Sequence, residues 1–274
     1  MHLTWTVVVV GTVAAAIFGV SKAAVPAVGS FGAALLATVL PPVASTGVVL
    51  PVLIVGDLIA LGMYAPHVDV RILVRLLPAV TVGLALGFWL VRSAGAGASG
   101  RVIGVLLLLS GLGELLRRRK AARALELASP AGAAGVAGVE PGAAPAGPAA
   151  PPARPVDRSL MSIALGAGAG FSTMVANAGG PMMTLYLLRL GVTQRAFLGT
   201  VAWFFFVVNV LKVPLSVGLG LITPASLVIS AALVPGIVVG ALAGRRLAAA
   251  MSPEVFATVA LVATSAAGVW LVVG

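Results

Sequence analysis

The sequence has no cysteine and only two histidines, His2 and His67. The first lack excludes disulfides, thiolate metal sites, iron–sulfur clusters and cysteine nucleophiles. The second argues against histidine metal clusters, because both histidines fall outside the apolar runs. Charge is also scarce. Charged residues make up 9% of 274, against about 25% in a soluble globular chain, too few to cover a water-facing surface. Aromatic residues contribute 5%. There is no P-loop, which argues against direct ATP drive, no paired acidic motif for magnesium–diphosphate chemistry and no H-E-x-x-H. Glu114, Glu126, Glu140 and Glu254 fall at span ends or in loops. No cofactor, no metal and no enzyme activity are expected.

What is abundant is apolar: 60% hydrophobic residues and 34 glycines, with a mean hydropathy of +1.16. The expectation is an all-α, polytopic integral membrane protein. The net charge of +10 would suggest nucleic acid in a soluble protein. Here it is read as cytoplasmic loops, and no nucleic-acid partner is expected. The N-terminus lacks a cationic stretch and a clean cleavage site, so its apolar run reads as a first span rather than a removed signal peptide.

From 117 to 158 the chain opens with Arg117-Arg118-Arg119-Lys120 and becomes a Pro/Ala/Gly tract without periodicity. Such a segment cannot bury enough surface to offset its ordering entropy and reads as a flexible linker. It separates two apolar regions, 1–116 and 159–274. Each has room for five helices, since a full crossing takes about 20 residues. Spans are expected near 4–19, 31–40, 43–63, 72–91 and 102–116, then near 159–175, 181–190, 196–217, 225–244 and 254–272. Two of these, 31–40 and 181–190, are about 15 Å long at 1.5 Å per residue, half of a hydrocarbon core of about 30 Å. Glycine-containing breaks, Val28-Gly29-Ser30 and Ala178-Gly179-Gly180, precede them.

The halves also share a pattern. Pro78, Gly83 and Gly87 read P-x4-G-x3-G, and Pro235, Gly240 and Gly244 repeat it. Gly19-Val20-Ser21 matches Gly170-Phe171-Ser172, and Asp57 and Asn209 then hold matching positions to within one residue. With ten crossings, 13 of the 17 Lys and Arg residues fall on one side, which the positive-inside rule makes cytoplasmic. Both termini are then expected outside and the linker inside. Five spans per half is odd, so the second half enters inverted, a recurrent transporter architecture. The glycine pairs read as helix-packing faces.

Lysine inside a bilayer is costly and usually faces protein or water. Lys22 and Lys212 qualify, each open to a bland reading as a snorkelling or paired side chain. Asp57 is the acidic residue deep in a span, either a counter-charge to one lysine or a proton-carrying group. The stretch Phe171 to Pro181 supplies Ser172, Thr173, Asn177, Gly179 and Gly180 before a proline suited to the first turn of a helix. Exposed N–H groups at such a start form an anion site; the competing reading is a break that lets helices cross closely. Donor-rich surroundings suit an oxyanion. The expected ligand is a small anion between the two halves, contacted by Lys22, Lys212, Ser21, Ser172, Thr173, Asn177, Gly179, Gly180 and Asn209. Asp57 is the proton-coupling candidate. An anion channel, a membrane-embedded enzyme and a non-transporting assembly subunit are the rival readings, and an oligomer stays open.

These residues carry a family resemblance. The second half, through Gly170-Phe171-Ser172-Thr173-Met174-Val175-Ala176-Asn177-Ala178-Gly179-Gly180-Pro181, Tyr186-Leu187-Leu188, Phe197-Leu198-Gly199-Thr200, Asn209 and Lys212, resembles the sulfite exporter TauE/SafE family. The first half does so through Gly19-Val20-Ser21-Lys22, Leu50-Pro51, Gly56-Asp57 and Pro78 with Gly83 and Gly87, although Ala23-Ala24 departs from a glycine-richer form. The resemblance implies a bacterial cell-membrane permease for sulfite or organosulfonates, often an exporter. The word sulfur enters from the resemblance alone.

Overall fold

The computed structural model describes residues 4–40, 42–93 and 160–273. The expected span at 102–116 and the linker at 117–158 lie outside the described residues. Among the described residues every regular element is helical. The order is α1 (Trp5–Ala23), a 3-10 turn (Pro26–Val28), α2 (Gly29–Ala37), α3 (Pro42–Tyr64), a second 3-10 turn (Ala65–His67) and α4 (Val70–Ser93). After the gap come α5 (Leu160–Ala176), α6 (Gly180–Leu190), α7 (Gln194–Gly218), α8 (Pro224–Ala250) and α9 (Pro253–Val273). Among the described residues, α1, α3, α4, α7 and α8 are long and apolar enough to cross a membrane.

Local chemistry sets several ends. Thr4 accepts from the Val7 N–H and Thr193 from the Ala196 N–H, satisfying donors that a helix start leaves open. Thr223 and Ser226 form a reciprocal capping box, with Pro224 at the first helical position of α8. Gly191 closes α6 in the left-handed region at φ 64°, where glycine carries no Cβ penalty.

Small residues fix the helix pairs. A Cβ on Gly19 of α1 would collide with the Ile237 carbonyl of α8, and one on Gly240 of α8 with the Ala16 carbonyl. Gly11 faces Leu233, and Gly244 faces Val20. The numbers rise together, so α1 and α8 run in the same direction. In the other pair, Gly83 of α4 meets Ala167 of α5, Gly170 meets Val80, and Gly87 meets Met174, so α4 and α5 also run together. The expected packing role of Gly83, Gly87, Gly240 and Gly244 is what they perform.

Helix α3 runs with α8: Ser230 donates to the Val48 carbonyl at 2.8 Å, and Gly56 lies against Ile237. The Tyr64 hydroxyl donates to the Ala23 carbonyl at 2.9 Å, so α1 and α3 end toward the same face. The short turn at Ala65–His67 sends α4 back, opposite to α1. Helix α5, parallel to α4, therefore also opposes α1.

Helix boundaries differ from expectation in one place that matters. The first helix continues to Ala23 rather than ending near 19, and the break is confined to Ala24 and Val25. Val25 takes an extended conformation at φ −123°, ψ 97°, as a residue before proline prefers. Pro26 then starts a 3-10 turn that runs into α2, so the first short helix begins ahead of the expected 31–40. Ser21 and Lys22 consequently sit in the last turn of α1 and not in a loop. The second short helix, Gly180–Leu190, lies close to its expected limits.

Candidate functional site

Four polar residues of the two apolar halves meet in the protein interior. Lys22 is 6% exposed, Lys212 2%, and Asp57 and Asn209 0%. Asp57, on α3, takes Lys22 Nζ on Oδ1 at 2.7 Å. Its Oδ2 accepts from Asn209 Nδ2, on α7, at 2.6 Å. The Lys22 ammonium also sits 4.2 Å from the centre of the Phe205 ring, a cation–π contact that is worth more away from water. One carboxylate is thus satisfied by a cation from α1 and an amide from α7.

Lys212 lies one turn beyond Asn209 on α7 and has a different environment. Its Nζ donates to the Thr173 carbonyl at 2.7 Å and to Asn177 Oδ1 at 2.5 Å. Both acceptors are neutral, one in the last turn of α5 and the other on the residue that follows it. The Thr173 carbonyl is among the last of that helix, where the dipole favours a cation. An ammonium has three donors, and two are used among the described residues. Lys22, Asp57 and Lys212 are near enough to interact electrostatically. With both lysines protonated and the aspartate ionised, the three would sum to +1 in an interior with little solvent to screen it.

The break between α5 and α6 is made by Asn177, which takes a left-handed backbone at φ 52°. Asparagine tolerates that region better than most residues. Its N–H returns to the Thr173 carbonyl at 3.1 Å, and the Ala178 N–H to the Ser172 carbonyl at 3.2 Å. Helix α6 then begins at Gly180, with Pro181 in its first turn and no side-chain cap. The first N–H groups of a helix have no intrahelical acceptor, so this end offers backbone donors. A Cβ on Gly180 would collide with the Pro26 carbonyl. The two chain breaks, one from each apolar half, are therefore in direct contact.

Among the expected site residues, Lys22, Asp57 and Asn209 form one bonded group, and Lys212, Thr173 and Asn177 another. Gly179 and Gly180 form the start of α6 beside the second group. Ser21 and Ser172 are turned elsewhere: Ser21 donates to the Pro26 carbonyl at 2.9 Å, and Ser172 to the Gly168 carbonyl at 2.7 Å. The Ser21 hydroxyl spans the first break, whereas that of Ser172 bonds back within α5. Lys22 carries a full counter-charge, so of the two buried lysines Lys212 is the one without an ion pair among the described residues.

Sequence reasoning missed Ser30 on α2 and Thr184 on α6. Both hydroxyls are buried with no hydrogen-bond partner among the described residues, as is Asn209 Oδ1. The available signal was their position: Ser30 is the one hydroxyl-bearing residue of α2, and Thr184 the one aliphatic hydroxyl of α6. Phe205 was missed as well, since nothing in its sequence neighbourhood sets it apart from the adjacent phenylalanines.

A family model described as sulfite exporter TauE/SafE matches residues 4–271. No curated protein and no solved structure matches the chain.

Proposed function

The chain belongs to the sulfite exporter TauE/SafE family, and from that premise we propose that it carries small sulfur oxyanions or organosulfonates across a bacterial cell membrane by alternating access. The observation that carries this reading is Lys212, an ammonium buried against two neutral acceptors with one donor to spare. A lone buried charge is expensive unless something pairs with it. A monoanion at the start of α6 would supply the missing charge and receive the free Lys212 donor, the Asn177 amide N–H groups and the open backbone N–H groups of Gly179 and Gly180. An oxyanion has enough acceptor oxygens for such a set, and its bonds would be charge-assisted.

The inverted repeat is part of the same proposal. Its support is the pairing of helices: α1 with α8 and α4 with α5, each the first helix of one half against the proline-and-glycine helix of the other, in opposite directions. Asp57 and Asn209 hold matching positions in the halves and bond to each other, as residues beside a pseudo-two-fold axis would. Arg71, Arg75, Arg189, Arg195, Arg245 and Arg246 lie in or beside the segments nearest the face where α3 and α8 end. The positive-inside rule makes that face cytoplasmic. Asp57 is the candidate for proton coupling.

The test is thermal-shift binding of the purified protein against sulfite, thiosulfate, short organosulfonates and chloride. The expected outcome is a saturable rise in melting temperature with one or more sulfur anions and none with chloride at equal ionic strength. No discrimination from chloride would remove the oxyanion reading.

A further inference from the structure

A cavity of about 390 Å³ opens where α3, α7 and α8 come together, away from the Lys212 group. Its polar lining is Tyr64, His67, Gln194, Arg195 and Arg245, and among the described residues no carboxylate lines it. At ~30 Å³ per water it has room for about a dozen waters, enough for a hydrated oxyanion. Among the described residues neither guanidinium has an ion-pair partner.

The walls are firmly built. Three residues of α7 clamp the 3-10 turn that carries His67. Gly199 lets the turn approach, since a Cβ there would meet the His67 and Tyr64 backbone at 2.6–2.7 Å. Thr200 Oγ1 accepts from the Asp69 N–H at 2.9 Å, and Trp203 Nε1 donates to the Ala65 carbonyl at 3.3 Å. Gln194 crosses to the Ala248 carbonyl at 2.9 Å and ties α7 to α8. Arg195 stands in the first turn of α7, where the helix dipole adds to its attraction for an anion. Tyr64 is the partition: its side chain lines the cavity, and its hydroxyl holds the Ala23 carbonyl, the residue after Lys22.

We infer that this cavity is an anion-collecting vestibule, in which Arg195 and Arg245 receive a small oxyanion before it passes Tyr64 toward the buried cations. Guanidinium forks match the geometry of oxyanion edges, and a positively lined cleft with low-dielectric walls concentrates anions. The inference rests on the transport reading for its role, although the binding of an oxyanion here can be measured without transport.

The transport arm uses proteoliposomes with substrate presented to the vestibule face. The double variant R195Q/R245Q is expected to raise the KM for sulfite about tenfold with Vmax within twofold, and R195K/R245K to keep KM closer to the wild type. R71Q/R189Q, which removes the same two charges at the start of α4 and the end of α6, outside the cavity, is expected to leave KM unchanged. A KM for R195Q/R245Q within twofold of wild type would overturn the vestibule. So would a rise of equal size from both faces, which would indicate a general field effect. A rise confined to anionic-lipid vesicles and absent in zwitterionic ones would assign the arginines to lipid headgroups and overturn it as well.

The binding arm uses the full chain carrying K212M, with Trp5, Trp89 and Trp270 replaced by Phe and inorganic sulfate as the probe. Trp203 fluorescence is expected to change saturably, and the response to vanish in R195Q/R245Q. An absent or arginine-independent response would overturn the proposal. Saturable binding in this arm with no wild-type flux would uphold the anion site and overturn transport.

Discussion

Lys22 and Lys212 are the same residue type, similarly buried, with different partners. Lys22 faces a carboxylate at 2.7 Å and an aromatic ring; Lys212 faces a carbonyl and an amide oxygen. Breaking a buried pair by removing one member costs about 3–5 kcal/mol, because the other charge is stranded. Lys22→Met and Asp57→Asn should therefore each lower the melting temperature, and the combined variant should lie above both. Additive losses would contradict the ion-pair account. Proton movement measured in the combined variant then tests Asp57 as the coupling group, with its loss expected if Asp57 carries the proton. Lys22, Asp57, Asn209 and Lys212 were legible in the sequence because polar residues are rare within its apolar runs. Which lysine Asp57 pairs with was not, since Lys22 and Asp57 meet only through the packing of α1 near α3. Ser30 and Thr184 were hidden because a hydroxyl in an apolar helix is common and can bond its own backbone.

At the scale of elements, the contacts between helices depend on absent side chains. Gly180 allows the two breaks to touch, and Ala at this position would press a methyl into the Pro26 carbonyl. Backbone cannot swing aside as a flexible side chain can, so Gly180→Ala should destabilise by roughly 1–3 kcal/mol and reduce flux. Gly62, in the interior of α3, has nothing within 4 Å of the added carbon, and Gly62→Ala should be neutral or stabilising by up to about 1 kcal/mol. Thermal unfolding of both variants checks the pair; equal melting temperatures would contradict the contact at Gly180. The packing glycines were readable from their repeated spacing after Pro78 and Pro235. The first break lies ahead of the expected Val28-Gly29-Ser30. Pro26 stops the helix by acting on Val25, whereas Gly29 sits inside helical structure.

At the scale of the molecule, the all-helical class was legible from composition and span length. The directions in which the helices pair were not, because direction depends on contacts between residues more than 40 positions apart. Those directions give a prediction. Ser93 ends α4 and Ser252 follows α8, and α4 runs opposite to α8, so the two serines lie toward opposite faces. The chain has no cysteine, and Ser93→Cys and Ser252→Cys can be labelled singly. Ser93→Cys should react with an impermeant maleimide in intact cells, and Ser252→Cys only after permeabilisation; labelling of both from one side would contradict the arrangement. The claim on which the whole account depends is that the halves enclose an oxyanion against Lys212. Its most direct test is sulfite flux in proteoliposomes holding wild-type protein or Lys212→Met at equal density. The account predicts saturable flux in the wild type and at least a tenfold lower rate in a Lys212→Met protein that melts as the wild type does. Equal, saturable flux from the two proteins would contradict it.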